Sequence, residues 1–129
     1  MAKSIEQMRA EHALEGVKSA IEKNVDKEFV SYASGFPMMI HTNGLGQAVA
    51  FYAGKKEKEE YEKLLTMLNS WLTSAGRPFA GQTDLLDAIT NNNMQTYMLA
   101  QAEAMAYLVW VKKFAKALID TDSKGGDNG

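Results

Sequence analysis

The sequence predicts an all-α fold, a compact single-domain helical bundle of about six helices that ends in a long C-terminal helix. Three observations carry this reading. Apolar residues recur at i, i+3, i+4 and i+7 in nearly every segment, which is helical spacing. The segments are separated by glycine, proline and asparagine clusters of the kind that stop helices. A chain of 129 residues with 46% hydrophobic content can bury one real core, and a second domain is not expected. Residues 1–120 are assigned to that domain and 121–129 to a polar, glycine-rich tail expected to be disordered.

Each element has its own signal. Ser4 and Gln7 make a capping box, and Ile5, Met8, Ala13, Val17, Ala20 and Ile21 form the stripe of a first helix reaching about Asn24. A second helix is expected from Asp26 to Ser34 with Phe29, Val30 and Ala33 on its apolar side, broken by Gly35-Phe36-Pro37. A short helix follows, with Pro37 in its first turn and Asn43-Gly44 as its left-handed stop. Asn-Gly is also a hairpin signal, but its flanks lack period-2 alternation. Leu45, Ala48, Val49 and Tyr52 start the next helix, which Gly54 ends; Gly46 either admits another backbone or eases the turn.

The run from Lys55 to Glu60 reads as a solvated helix start, or less simply as a binding patch. Tyr61, Leu64, Leu65, Leu68, Trp71 and Leu72 continue that helix until Gly76 and Pro78 close it. After a loop at Arg77–Gln82, Thr83 or Asp84 caps a short helix through Leu85, Leu86 and Ile89. Asn92 with Gln95 resembles the N-cap pair of the last helix, which nothing interrupts up to about Ile119. From Tyr97 to Val111 its only charge is Glu103, so it is either central to the bundle or offers a spare face to a partner. Gln101, Glu103 and Lys112-Lys113 cut the run short of the roughly twenty apolar residues a membrane span requires.

Composition narrows the chemistry. The chain has no cysteine, which removes disulfides and thiolate sites and suits a reducing, cytoplasmic setting; the N-terminus lacks the apolar run of a signal peptide. His12 and His41 are far apart, which favours structural or surface roles over metal ligation. Gly44-Leu45-Gly46-Gln47 lacks the Gly-Lys-Ser/Thr ending of a phosphate loop. Glu11 and Glu15 lie one turn apart without a Glu-x-x-His partner, off the apolar stripe. No nucleophile, base or metal set converges, so neither enzymatic activity nor a cofactor is expected. Eight methionines, among them Met38, Met39, Met67, Met94, Met98 and Met105, are either core filler or an adaptable binding face.

With a net charge of −2, nucleic-acid binding would have to come from local clusters of the fourteen basic residues. Lys112, Lys113 and Lys116 form one such cluster near the end of the last helix, where they either complement the helix dipole or contact phosphates. Lys18, Lys23 and Lys27 give the first helix and its exit a similar edge, with Lys3 and Arg9 nearer its start.

Three segments resemble a known family. Ile40–Phe51, with Asn43-Gly44-Leu45-Gly46-Gln47-Ala48 as its most specific part, Glu11–Val17 and Ala102–Leu118 look like the small subunit of type III-B CRISPR effector complexes, the Cmr small subunit. The likeness spans most of residues 5 to 119 in the same order. The low arginine content, Arg9 and Arg77 alone, and the loop Ser74–Thr83 depart from it. The resemblance implies an all-helical, non-catalytic subunit whose copies stack beside the backbone subunits into an inner filament, holding target RNA against its guide in antiviral defence. It implies as partners the backbone subunit, the large subunit, further copies of the chain, target RNA and the CRISPR RNA backbone, with no membrane. RNA cleavage would belong to the backbone subunits and cyclase chemistry to the large subunit. The rival reading is a helical adaptor that binds a partner through a Met-rich apolar face without nucleic acid.

Overall fold

The computed structural model describes residues 2–55 and 57–119, so the expected tail at 121–129 lies outside the described residues. Six helices follow one another: α1 Ile5–Glu22, α2 Phe29–Asn43, α3 Leu45–Ala53, α4 Glu59–Leu72, α5 Leu85–Asn91 and α6 Met94–Leu118; no strand occurs among the described residues. α6 is the hub, packing on α1, α2 and α4, while α3 lies against α2, α4 and α5. The core between them is one cluster to which every helix contributes, including Val17, Phe29, Phe36, Ile40, Leu45, Leu68, Leu85 and Leu108.

Local signals set most of the boundaries. Ser4 caps α1 with the reciprocal bonds of a capping box: Gln7 N–H donates to Ser4 Oγ at 3.1 Å and Ser4 N–H to Gln7 Oε1 at 2.8 Å. Asp84 caps α5 through the amides of Leu86 and Asp87. α4 begins at Glu59 with Glu59, Glu60 and Glu62 in its first turn, where the helix dipole favours carboxylates.

α2 starts at Phe29, three residues after the expected Asp26, and three further boundaries differ from expectation. α2 is one helix that runs through Pro37 rather than two pieces broken there. Phe29, Ala33, Phe36 and Ile40 continue a single buried stripe across the proline, and Phe36 stacks on Tyr52 with ring centroids 4.0 Å apart. Burial of this stripe outweighs the backbone bond that proline cannot make, a cost of roughly 3 kcal/mol. The cap of α6 is Asn93, whose Oδ1 accepts from Thr96 N–H at 2.8 Å; Asn92, one residue earlier, instead donates to Ala88 O and closes α5. α4 ends at Leu72, short of Gly76, because Thr73 and Ser74 turn their hydroxyls back onto the carbonyls of Asn69 and Trp71.

The corner between α2 and α3 is Gly44, with φ +90° and ψ 161°. This lies beyond the left-handed helical basin, in a region open essentially to glycine alone. No side chain of the corner caps α3. Its first amides are met from α6, Leu45 N–H by Gln101 Oε1 at 2.9 Å and Gly46 N–H by the Tyr97 hydroxyl at 2.8 Å. The approach at Gly46 is thus made by a side chain, and a Cβ there would stand 3.2 Å from that hydroxyl.

A polar joint ties α1, α4 and α6 together. Arg9 donates to Glu103 through Nε at 2.7 Å and a second guanidinium nitrogen at 2.9 Å, and Trp71 Nε1 donates to the same carboxylate at 2.8 Å. Burial alone would raise the Glu103 carboxyl. Hydrogen bonds from Arg9 and Trp71, with the charges of Arg9 and Arg77, outweigh it and hold the carboxyl below the usual range. Beside it His12 bridges the Tyr107 hydroxyl at 2.7 Å and Ser70 Oγ at 3.0 Å, and packs against the rings of Trp71 and Tyr107, which stack on each other.

Burial lowers the His12 imidazole from its ordinary value of 6.5. Below that value the unfolded chain takes up a proton that folded His12 resists. Stability should therefore be full above pH 6.5 and decline as the pH falls towards the lowered folded value. His12→Gln should flatten this limb; wild-type and variant melting curves that stay parallel from pH 7 to 5 would refute the assignment.

Candidate subunit and nucleic-acid interface

α6 has two faces of opposite character. Ala100, Ala104, Tyr107, Leu108, Val111 and Ala115 point inward and are fully buried. On the opposite side the exposed Met94, Met98, Val109, Lys113 and Lys116 share one face at helical spacing and form one stripe, with half-buried Met105 packed against the core between Met98 and Val109. Met94 is 79% exposed and Met98 59%, with Leu99 beside them at 58%. From Met94 to Val109 the stripe is uncharged over about 22 Å of helix. Glu103, the single charge of that stretch, is turned into the polar joint. The spare-face reading of α6 therefore describes it better than a helix surrounded on all sides. The filler reading holds for buried Met67 and half-buried Met39 and Met105, and fails for exposed Met38, Met94 and Met98.

The stripe runs directly into the first lysine group. Lys113 and Lys116 are exposed and Lys112 is half-buried, and none of the three forms an ion pair among the described residues. Lys113 borders a shallow hollow with Glu6, Ala106, Val109 and Trp110, where Trp110 Nε1 donates to Glu6 Oε1 at 2.9 Å.

The second group sits elsewhere. Lys18 is exposed on α1, Lys23 caps its C-terminus and Lys27 lies in the connection to α2. Near Lys23 the structure adds Lys63, whose Nζ donates to Ser19 Oγ at 3.0 Å. Burial, and then the charge of Lys23, pushes the Lys63 ammonium down. Glu59 and Glu62 line the same groove, so cations and carboxylates alternate there. No hydrogen bond or ion pair among the described residues joins this group to the lysines of α6.

Two basic residues of the expected α1 edge are engaged internally. Arg9 is held by Glu6 and Glu103, and Lys3 pairs with Glu11 at 2.7 Å. Arg77, presented by the loop after α4, lies over the Trp71 ring with its guanidinium 5.0 Å from the centroid. It borders an open cavity of about 410 Å³ together with Arg9, Leu99 and Ala102, so the chain's second arginine lies next to the apolar stripe. Nothing local in the sequence marks Lys63 or Arg77 as neighbours of these surfaces, because Lys63 reaches across from α4 to α1 and Arg77 meets α6 from the loop after α4.

The fold and these surfaces define a small all-helical protein that presents an apolar helix face and lysines outward, the build of a subunit within a larger assembly. No helix among the described residues is long and apolar enough to cross a membrane. The family described as CRISPR-associated protein (Cas_Cmr5) matches residues 5–118. The CRISPR system Cmr subunit Cmr5 of Thermus thermophilus is 28% identical over 114 residues, covering 88% of this chain and 95% of that protein. A crystal structure of a CRISPR-associated Cmr5 family protein from the same organism aligns with a TM-score of 0.77 at 27% identity, over 92% of this chain and all of the other. The chain belongs to the Cmr5 family, the small-subunit family of type III-B CRISPR Cmr complexes.

Proposed function

We propose that the chain acts as a non-catalytic small subunit of a cytoplasmic, RNA-guided antiviral complex, stacking with further copies into an inner filament that holds target RNA against its guide. One observation carries this reading: on α6 an uncharged stripe from Met94 to Val109 leads directly into Lys112, Lys113 and Lys116. A stripe of this kind buries apolar area against a neighbouring subunit, whether another copy, the backbone subunit or the large subunit. The lysines, as point charges, hold a phosphate backbone without reading its sequence, which guide pairing already does. Lys18, Lys23 and Lys27 form the secondary candidate edge, facing either target RNA or the CRISPR RNA backbone.

The test uses the assembled complex. Changing Lys112, Lys113 and Lys116 to Glu should weaken target-RNA binding about equally for all guides. It should also flatten the dependence of log affinity on log salt by roughly 0.7 for each phosphate no longer neutralised. The melting point of the free subunit separates this from a dipole role, in which each charge would contribute roughly 0.3–1 kcal/mol to stability and nothing to RNA affinity. An unchanged RNA affinity and salt slope would move the assignment to Lys18, Lys23 and Lys27. The exposed Met38, Met94 and Met98 also favour the adaptor reading, which predicts that Met94→Glu with Met98→Glu abolishes assembly while the lysine changes alter nothing.

A further inference from the structure

Where the uncharged stripe of α6 gives way to its lysines, α6 and α1 border a shallow hollow of about 260 Å³ lined by Glu6, Ala106, Val109, Trp110 and Lys113. Its largest side chain is aromatic. Trp110 is half-buried and stacks on Phe114 one turn further along, with ring centroids 5.5 Å apart and planes inclined by 30°. A chain of bonds holds that ring in place: Trp110 Nε1 donates to Glu6 Oε1, and Glu6 Oε2 accepts from Arg9 at 2.9 Å, which Glu103 anchors in turn. The indole is therefore oriented before anything binds, which lowers the entropy lost on contact. Glu6 keeps 61% of its side chain exposed, so its carboxylate can accept a further bond from a ligand in the hollow. Lys113 is exposed at the rim, with exposed Lys116 one turn on.

From this geometry we propose that the hollow receives one unpaired nucleobase of RNA, stacked on Trp110, with the flanking phosphates at Lys113 and Lys116. This contact rests on the reading of the α6 lysines as phosphate holders and adds a base to it. An aromatic ring beside free cations is the arrangement that holds single strands, the ring taking a base face and the cation the backbone. The charges disfavour a side chain of a neighbouring subunit. A cation would meet Lys113, a carboxylate would meet Glu6, and an apolar group would leave both unused, whereas a neutral planar base fits between them. The volume falls just short of the roughly 300 Å³ at which sites for larger ligands begin, which suits a single base. Because the Glu6 carboxylate only accepts, adenine, cytosine and guanine, each with an amino donor, suit the hollow better than uracil with its two carbonyls.

The experiment measures target-RNA affinity of the reconstituted complex over a range of salt. Trp110→Leu should weaken binding roughly tenfold, the size of one lost base stack, with an unchanged salt slope because stacking releases no counterions. Trp110→Phe keeps a flat ring and should restore most of the affinity. Lys113→Gln should instead flatten the slope by roughly 0.7. In the free subunit, a decamer of oligoadenylate should quench indole fluorescence more than oligouridylate does, and Trp110→Phe should abolish the quenching, since Trp71 is only 5% exposed. This contrast decides the matter even where Trp110→Leu fails to fold. Wild-type affinity of Trp110→Leu beside a flattened slope for Lys113→Gln would overturn the base contact and leave the lysine reading standing. Wild-type behaviour of both would remove this part of α6 from RNA altogether. Weaker assembly of the Trp110 variants, with RNA affinity intact in the complexes that form, would overturn the proposal and give the hollow to a neighbouring subunit.

Discussion

Glu103→Ala should lower the stability of the protein by about 3 kcal/mol, and its melting temperature by roughly 10 °C, the largest loss expected of any single substitution in the joint or at the corner. The carboxylate accepts three bonds, two from Arg9 and one from Trp71, and the side chains of Arg9 and Glu103 are only 15% and 12% exposed. Truncation leaves the Trp71 indole N–H without its partner and the Arg9 guanidinium with only the exposed Glu6 carboxylate, in a site largely shielded from water, and groups stripped of their partners in this way cost more than the pair contributed. Glu103→Gln should lose less, because it keeps one acceptor. Combining Glu103→Leu with Arg9→Leu should recover much of the loss, since the uncompensated charge is then gone. Because the folded carboxyl sits below its ordinary value of 4.5, the contribution of Glu103 is full above that pH and is lost as the pH falls through the folded value. Urea unfolding of the single and double variants measures all of this; a single-variant loss under about 1 kcal/mol would place the pair among weak surface bridges.

Gly44→Val should cost about 2 kcal/mol, and Gly44→Ala most of the same amount. A Cβ at Gly44 would meet the Tyr97 hydroxyl at 3.5 Å and Gln101 Oε1 at 3.7 Å, which is ordinary contact. Space is therefore not the obstacle; the positive φ with extended ψ is. The signature of a backbone cost is that alanine and valine fall together. An alanine variant as stable as the wild type, measured by thermal melting, would overturn the corner as described.

The capped helix starts at Ser4 and Asp84, the Asn43-Gly44 corner and the uninterrupted α6 are legible in the sequence because each rests on residues within one or two turns of one another. Pro37 reads as a break because proline rules are local, whereas the burial that keeps α2 continuous comes from Tyr52 and the rest of the core. Arg9 reads as part of a basic edge for the same reason, its partner Glu103 being 94 positions away. Of the candidate interface, the lysines of α6 and its shortage of charge are visible in sequence. That Met94, Met98 and Val109 face outward depends on which side α1, α2 and α4 cover. That Asn69 Oδ1 is buried without a hydrogen-bond partner among the described residues leaves no trace in the sequence, because it depends on what the neighbouring elements fail to supply.

The long-range capping of α3 bears on how the chain reaches its native state. Leu45 and Gly46 are synthesised about fifty residues before Gln101 and Tyr97, the groups that satisfy their amides. A helix of nine residues is marginal on its own, and this one begins on a glycine that cannot cap it. On the ribosome α3 therefore remains unconsolidated until α6 has emerged and docked. The corner that most clearly marks the family in sequence is thus among the last parts of the molecule to settle, and its completion reports that the C-terminal helix is in place.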